Sequence, residues 1–97
     1  MIIVHDIFVC KPGNASKMAK MFKDAMKPNP YMVNILTDMT GQYNRVIMVS
    51  QYKDLTEYDK SWEAMSNPTK EMQESMKKME GYQDMYVSGS REIYRVW

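Results

Sequence analysis

Met1-Ile2-Ile3-Val4-His5-Asp6-Ile7-Phe8-Val9-Cys10 reads as a strand that is apolar on both of its sides. Side chains alternate along an extended chain. Ile2, Val4, Phe8 and Cys10 therefore share one face with Asp6, and Ile3, Ile7 and Val9 share the other with His5. β-branched and aromatic residues suit this state. A strand with one solvated face would show polar residues at every second position, and this one does not, so both of its faces call for a cover.

The flanking sequence supplies a cover for one face. Lys11-Pro12-Gly13-Asn14 is a turn, after which Ala15, Met18, Ala19, Phe22, Ala25 and Met26 recur at steps of three and four and predict an amphipathic helix. Pro28-Asn29-Pro30 ends it, because proline lacks an amide donor and disfavours helix in the residue before it. Tyr31 to Met39 and Val46 to Tyr52 read as strands joined by the hairpin turn Thr40-Gly41-Gln42-Tyr43-Asn44. Asp54 and Glu57 stand at capping-box spacing and open a second helix with the stripe Leu55, Tyr58, Trp62 and Met65. Asn67 is expected to cap a third helix, with Pro68 at its first position, Met72, Met76 and Met79 along one face, and Gly81 as its stop. Met85 to Val87 and Glu92 to Trp97 are extended, with Ser88-Gly89-Ser90 as a bulge or a dividing turn.

The resulting order, β-α-β-β-α(α)-β, predicts a single α+β domain over residues 1–97, a ferredoxin-like four-stranded antiparallel sheet with its helices on one face. The strand at Tyr31 to Met39 is also apolar on both sides, and the chain has no spare element for the second sheet face. The economical cover is a second copy, packed sheet against sheet in a homodimer.

Composition excludes several function classes. Thirteen Lys and Arg against twelve Asp and Glu give a net charge of +1, with no basic cluster of the kind a nucleic-acid partner requires. One cysteine forms no internal disulfide, and His5-Asp6 cuts the first apolar run short of signal-peptide or membrane-spanning length, so a cytoplasmic domain with no membrane span is expected. One His and one Cys are too few for a metal site, and the four glycines are isolated, so no cofactor is implied. The twelve methionines fall on helix stripes and strands, where they predict a soft, methionine-rich core in preference to a copper(I) site.

Two polar residues on the first strand are candidates for chemistry. His5 could act as a general base or a haem ligand, or be a partly exposed or hydrogen-bonded strand histidine. Asp6, among apolar neighbours, is either a base or ligand anchor, or the partner of Arg91, Arg95 or Arg45 in a salt bridge. The two face opposite ways and form no dyad. Asn34 and Asp38 are expected on one face with Met32 and Leu36, and Met48, Ser50 and Tyr52 on one face of the next strand. A cleft between sheet and helices lined by Asn34, Ser50, Tyr52, Trp62 and Tyr94 would be mostly apolar with a few polar anchors, as small-molecule sites are.

Several stretches resemble one family. Gly41-Gln42-Tyr43-Asn44-Arg45-Val46-Ile47, Gln51-Tyr52-Lys53-Asp54-Leu55-Thr56-Glu57-Tyr58-Asp59, Ser66-Asn67-Pro68, Arg91-Glu92-Ile93-Tyr94 and the early Lys11-Pro12-Gly13 resemble the NIPSNAP-like members of the dimeric α+β barrel superfamily. That resemblance implies the same fold and a homodimer. It also implies an activity drawn from a range that includes cofactor-independent monooxygenases on aromatic compounds, haem-degrading enzymes and proteins without catalysis. Haem-degrading relatives carry a strand-one asparagine near the place of Asp6, a tryptophan near Trp62 and a helix histidine; here Met72 and Gln73 occupy that helix, which disfavours haem degradation. The expectation is a small-molecule-binding barrel acting on an apolar or aromatic compound, or a non-catalytic homodimeric binding or scaffolding module.

Overall fold

A computed structural model describes all residues from Met1 to Trp97. The elements are β1 (Ile2–Cys10), α1 (Ala15–Ala25), β2 (Met32–Thr37), β3 (Arg45–Tyr52), α2 (Leu55–Ala64), α3 (Lys70–Lys78) and β4 (Tyr86–Arg95), with one 3-10 turn at Tyr82–Asp84. The four strands form one antiparallel sheet in the order β2-β3-β1-β4. This is the ferredoxin-like α+β arrangement, in which the first strand lies inside and is flanked by the third and the fourth. The Cα envelope measures 36 × 35 × 19 Å, a slab as thick as one sheet and one helix layer.

The core sits at the Cys10 end of the sheet. Cys10, Met18, Phe22 and Val46 are buried together, where α1 lies on β1 and β3, and Phe8, Ile35, Met48, Met79 and Tyr82 pack around them. Phe22 meets Phe8 and Tyr82 edge to face, with ring centroids 5.3 and 5.7 Å apart. The core is less rich in methionine than the composition suggests: Met18 alone is fully buried, while Met39 is 97% exposed and Met1, Met65 and Met76 are also on the surface. The Cys10 thiol donates to the Met18 sulfur at 3.5 Å, and burial pushes its pKa up. Cys10 is therefore a packing residue held as the neutral thiol. An aromatic disulfide reagent is expected to modify it at least about tenfold more slowly in the native protein than in denaturing urea, because the thiolate is the reactive form; equal rates would place the thiol at the surface.

Local chemistry explains where the elements begin and where the sequence pattern misleads. The Asp54 carboxylate accepts from the Glu57 backbone N–H at 2.8 Å, and Glu57 accepts in turn from the Lys53 N–H at 3.0 Å. The third helix is capped by Thr69 and not by Asn67: Thr69 is extended and its hydroxyl accepts from the Met72 N–H at 3.2 Å, which leaves Pro68 outside the helix. Within it Met72 and Met79 face inward, but Met76 is 45% exposed. Gly81, at φ 85°, makes the left-handed turn that follows. β4 is continuous through Ser88-Gly89-Ser90. Gly89 lies opposite Phe8, and the one irregularity there is a bulge at Val87, between the pairs Val9↔Ser88 and Cys10↔Tyr86.

A second bulge moves a predicted site residue. Met32 pairs with Ser50 but Asn34 pairs with Val49, so Val33 is the extra residue. Beyond it the alternation is inverted. Met32 and Ile35 point to the helix side, while Asn34 and Leu36 point to the other face, contrary to the single face expected for Met32, Asn34 and Leu36. That other face carries Ile3, Ile7 and Val9 of β1, Ile47 and Val49 of β3, Leu36 of β2 and Tyr94 of β4, and no element of this chain lies over it.

Candidate functional site

The helix side of the sheet can be read as rungs across its strands. Tyr52, Ile2 and Arg95 form one, Ser50, Val4 and Ile93 the next, and Met48, Asp6 and Arg91 the third. α2 lies over this end. None of its residues is fully buried, and Leu55, expected on its apolar stripe, is 60% exposed, because α2 leans on the sheet through Tyr58 and Trp62 instead. The i,i+4 spacing of Tyr58 and Trp62 puts both rings on one side of the helix.

These contacts make a continuous aromatic run. Tyr31 stacks on Tyr52 at 4.6 Å; Tyr58 meets Tyr52 at 5.0 Å and Trp62 at 6.3 Å, both edge to face. Beyond Trp62 the run ends on a cation, the Arg91 guanidinium carbon lying 4.9 Å from the indole centroid. Arg91 Nε donates to Asp6 Oδ1 at 2.5 Å. This hydrogen bond raises the Arg91 pKa above its ordinary value, helped by the Asp6 charge and by Tyr58 and Tyr52 nearby, and opposed by desolvation. The Tyr58 hydroxyl is buried and has no hydrogen-bond partner.

The other end of the run opens to solvent. A hollow of about 570 Å³ is lined by Tyr31 and Tyr52 together with Met1, Val33, Gln51 and Lys53. A second, of about 320 Å³, lies between α1 and β2 beside Met26, Met32 and Lys23. Neither Asp6 nor His5 lines either hollow.

Three of the five residues expected in one cleft are on this side: Ser50 and Tyr52, both buried, and Trp62, 44% exposed. Asn34 and Tyr94 are not. The Val33 bulge turns Asn34 to the uncovered face, and Tyr94, opposite Ile3, points there as well. His5 is on that face too, its ring 5.1 Å from Tyr94. The Tyr94 hydroxyl donates to Glu92 Oε1 at 2.5 Å, and this bond raises the phenol pKa. The two first-strand candidates are thus divided between two clusters, and Asp6 has Arg91 as its partner.

Backbone comparison places the architecture among solved structures. An uncharacterised NIPSNAP domain protein from Burkholderia xenovorans superposes with a TM-score of 0.78 over 100% of this chain and 95% of its own, at 12% identity. The chain has the same ferredoxin-like α+β fold. A NIPSNAP-like domain protein from the same organism shares that fold with a TM-score of 0.77 and 20% identity, covering 99% of this chain and 84% of its own. A Nitrosomonas europaea protein assigned as an antibiotic biosynthesis monooxygenase follows at 0.62 and 13% identity, covering 99% and 98%. No family model and no curated protein matches the sequence. At such identities the likeness concerns the fold alone, and chemistry must be argued from the side chains. No helix is long and apolar enough to cross a membrane.

The residues that sequence reading missed at this site are Tyr58 and Arg91. Tyr58 appeared only as one member of a helix stripe, and Arg91 only as one of three possible partners for Asp6. The signal that singles out Arg91 is the β1–β4 register, which pairs Asp6 with Arg91 directly.

Proposed function

We propose that this protein binds a small apolar or aromatic molecule along the run from Tyr31 to Trp62, and does so as a homodimer of single-domain chains. The observation that carries the reading is the run itself. It joins a hollow of about 570 Å³ at one end to a fixed cation at the other, and that volume lies within the roughly 300–1,000 Å³ typical of small-molecule sites. Ser50 and Tyr52 supply polar tips beside the aromatic wall. Asp6 serves this site by holding Arg91, and it is not the base of a reaction, since Oδ1 is committed to the guanidinium. His5 faces the opposite side of the sheet and cannot reach the same ligand.

The homodimer follows from the uncovered face. Only 9 of 97 residues are buried in the single chain, and large apolar side chains such as Leu36 and Tyr94 remain 43% and 48% exposed there. An apolar surface spread over all four strands marks an interaction site, and a second copy offers the matching face by two-fold symmetry. Binding without turnover is favoured over oxygenation because both acids at the site are engaged, Asp6 by Arg91 and Glu57 by the Lys53 N–H.

A thermal-shift screen of apolar and aromatic compounds tests the reading. Hits that raise the melting temperature of the wild type and of His5→Gln, and lose their effect in Trp62→Leu, are the expected result. A screen without hits, or hits that depend on His5 and not on Trp62, would move the site away from the aromatic run.

A further inference from the structure

Arg91 has more hydrogen-bonding capacity than Asp6 uses. A guanidinium offers five N–H donors in a planar fork. Asp6 takes the Nε donor, and the two terminal Nη groups make no hydrogen bond to the protein. The Arg91 side chain is 45% exposed, so these donors are open to a ligand. Gripping Nε while leaving the Nη edge free fixes the guanidinium plane without filling its bidentate side.

The surroundings specify what that edge would take. Trp62, 44% exposed, stands beside the guanidinium as a wall for a planar apolar body. Arg95, on the same face of β4, has no carboxylate within salt-bridge distance. Two arginines against one aspartate leave a single uncompensated positive charge. Tyr58, whose ring meets both Tyr52 and Trp62, carries a buried hydroxyl without a partner. A planar monoanion matches the fork geometry, which suits bidentate carboxylates.

We propose that Arg91 is the specificity-determining residue of the site and that the ligand is an aromatic carboxylate, its carboxylate on the Arg91 Nη edge and its ring against Trp62. This rests on the small-molecule reading given above and narrows it to a chemical class. The binding equilibrium is a simple association: no bond is made or broken, and the ligand enters as the anion.

Isothermal titration of the intact protein with 2-naphthoate and with its neutral counterpart 2-naphthamide, at constant ionic strength, separates the possibilities. The expected result is wild-type affinity for the carboxylate at least about tenfold above that for the amide, as charge-assisted bidentate hydrogen bonds provide. Arg91→Gln removes both the charge and the fork, and should bring the carboxylate down to or below the amide's affinity. Trp62→Leu should weaken both probes and preserve their ratio, and Arg95→Gln should preserve the preference too. Equal wild-type affinity for the two probes overturns the carboxylate proposal and leaves the small-molecule reading standing; binding of neither overturns both. A preference that survives Arg91→Gln, or disappears in Arg95→Gln, takes the role from Arg91.

Discussion

Replacing Phe22 by alanine is expected to destabilise the protein by about 3–5 kcal/mol, the cost of the lost aromatic burial plus the cavity left behind. Phe22 is the largest of the fully buried side chains, ahead of Met18, Val4 and Val46. It joins α1 to Phe8 on the sheet and to Tyr82 after the third helix, so no single neighbour can move in to fill its space. Domains of this size are stable by only about 5–15 kcal/mol. The variant should therefore lose about a fifth or more of its stability, read as a fall in the urea midpoint at unchanged slope. Met39→Ala, at a side chain 97% exposed, should stay within about 0.5 kcal/mol of wild type. A Phe22 effect as small as that would mean that the packing between α1 and the sheet contributes little.

The second large effect concerns the face without helices. Ile47 pairs directly with Ile7 on β1 and Leu36 on β2, near the middle of the apolar surface. In a lone chain this position is only partly buried, and an aspartate there would keep much of its hydration. In a sheet-to-sheet dimer, Ile47→Asp would bury two uncompensated carboxylates across the two-fold axis, at about 3–5 kcal/mol for each. Light scattering should then report a dimer for wild type and a monomer for Ile47→Asp, with far-UV circular dichroism unchanged. A wild-type monomer, or a dimer that tolerates the aspartate, would place the contact elsewhere.

The fold could be read from local chemistry because the signals were redundant. Apolar periodicity, the prolines after Met26 and the Asp54–Glu57 cap each point to the same element order, and any one could be lost without changing it. The site was less legible because it depends on register. One extra residue at Val33 moves Asn34 to the other face, and composition does not reveal a bulge of that kind. Tyr94 was misplaced for a related reason: a one-residue choice in pairing an edge strand reverses every side chain on it. The Asp6–Arg91 pair was one of three arginine pairings compatible with the sequence, and only the β1–β4 alignment selects it. Thr69 displaced Asn67 as a cap because both residue types can accept the bond and the helix starts where the geometry closes.

The inner place of β1 has a kinetic side. Its pairing with β4 ties positions as far apart as Asp6 and Arg91, 85 residues along the chain, and no local hairpin can stand in for it. Closing so long a loop costs entropy before any contact rewards it, which slows folding relative to a helical domain of the same length. Until β4 docks, β1 keeps one open edge with apolar side chains on both faces. The strand most in need of partners thus spends the early part of folding half exposed, and this interval is when the chain is most prone to pair with the wrong one.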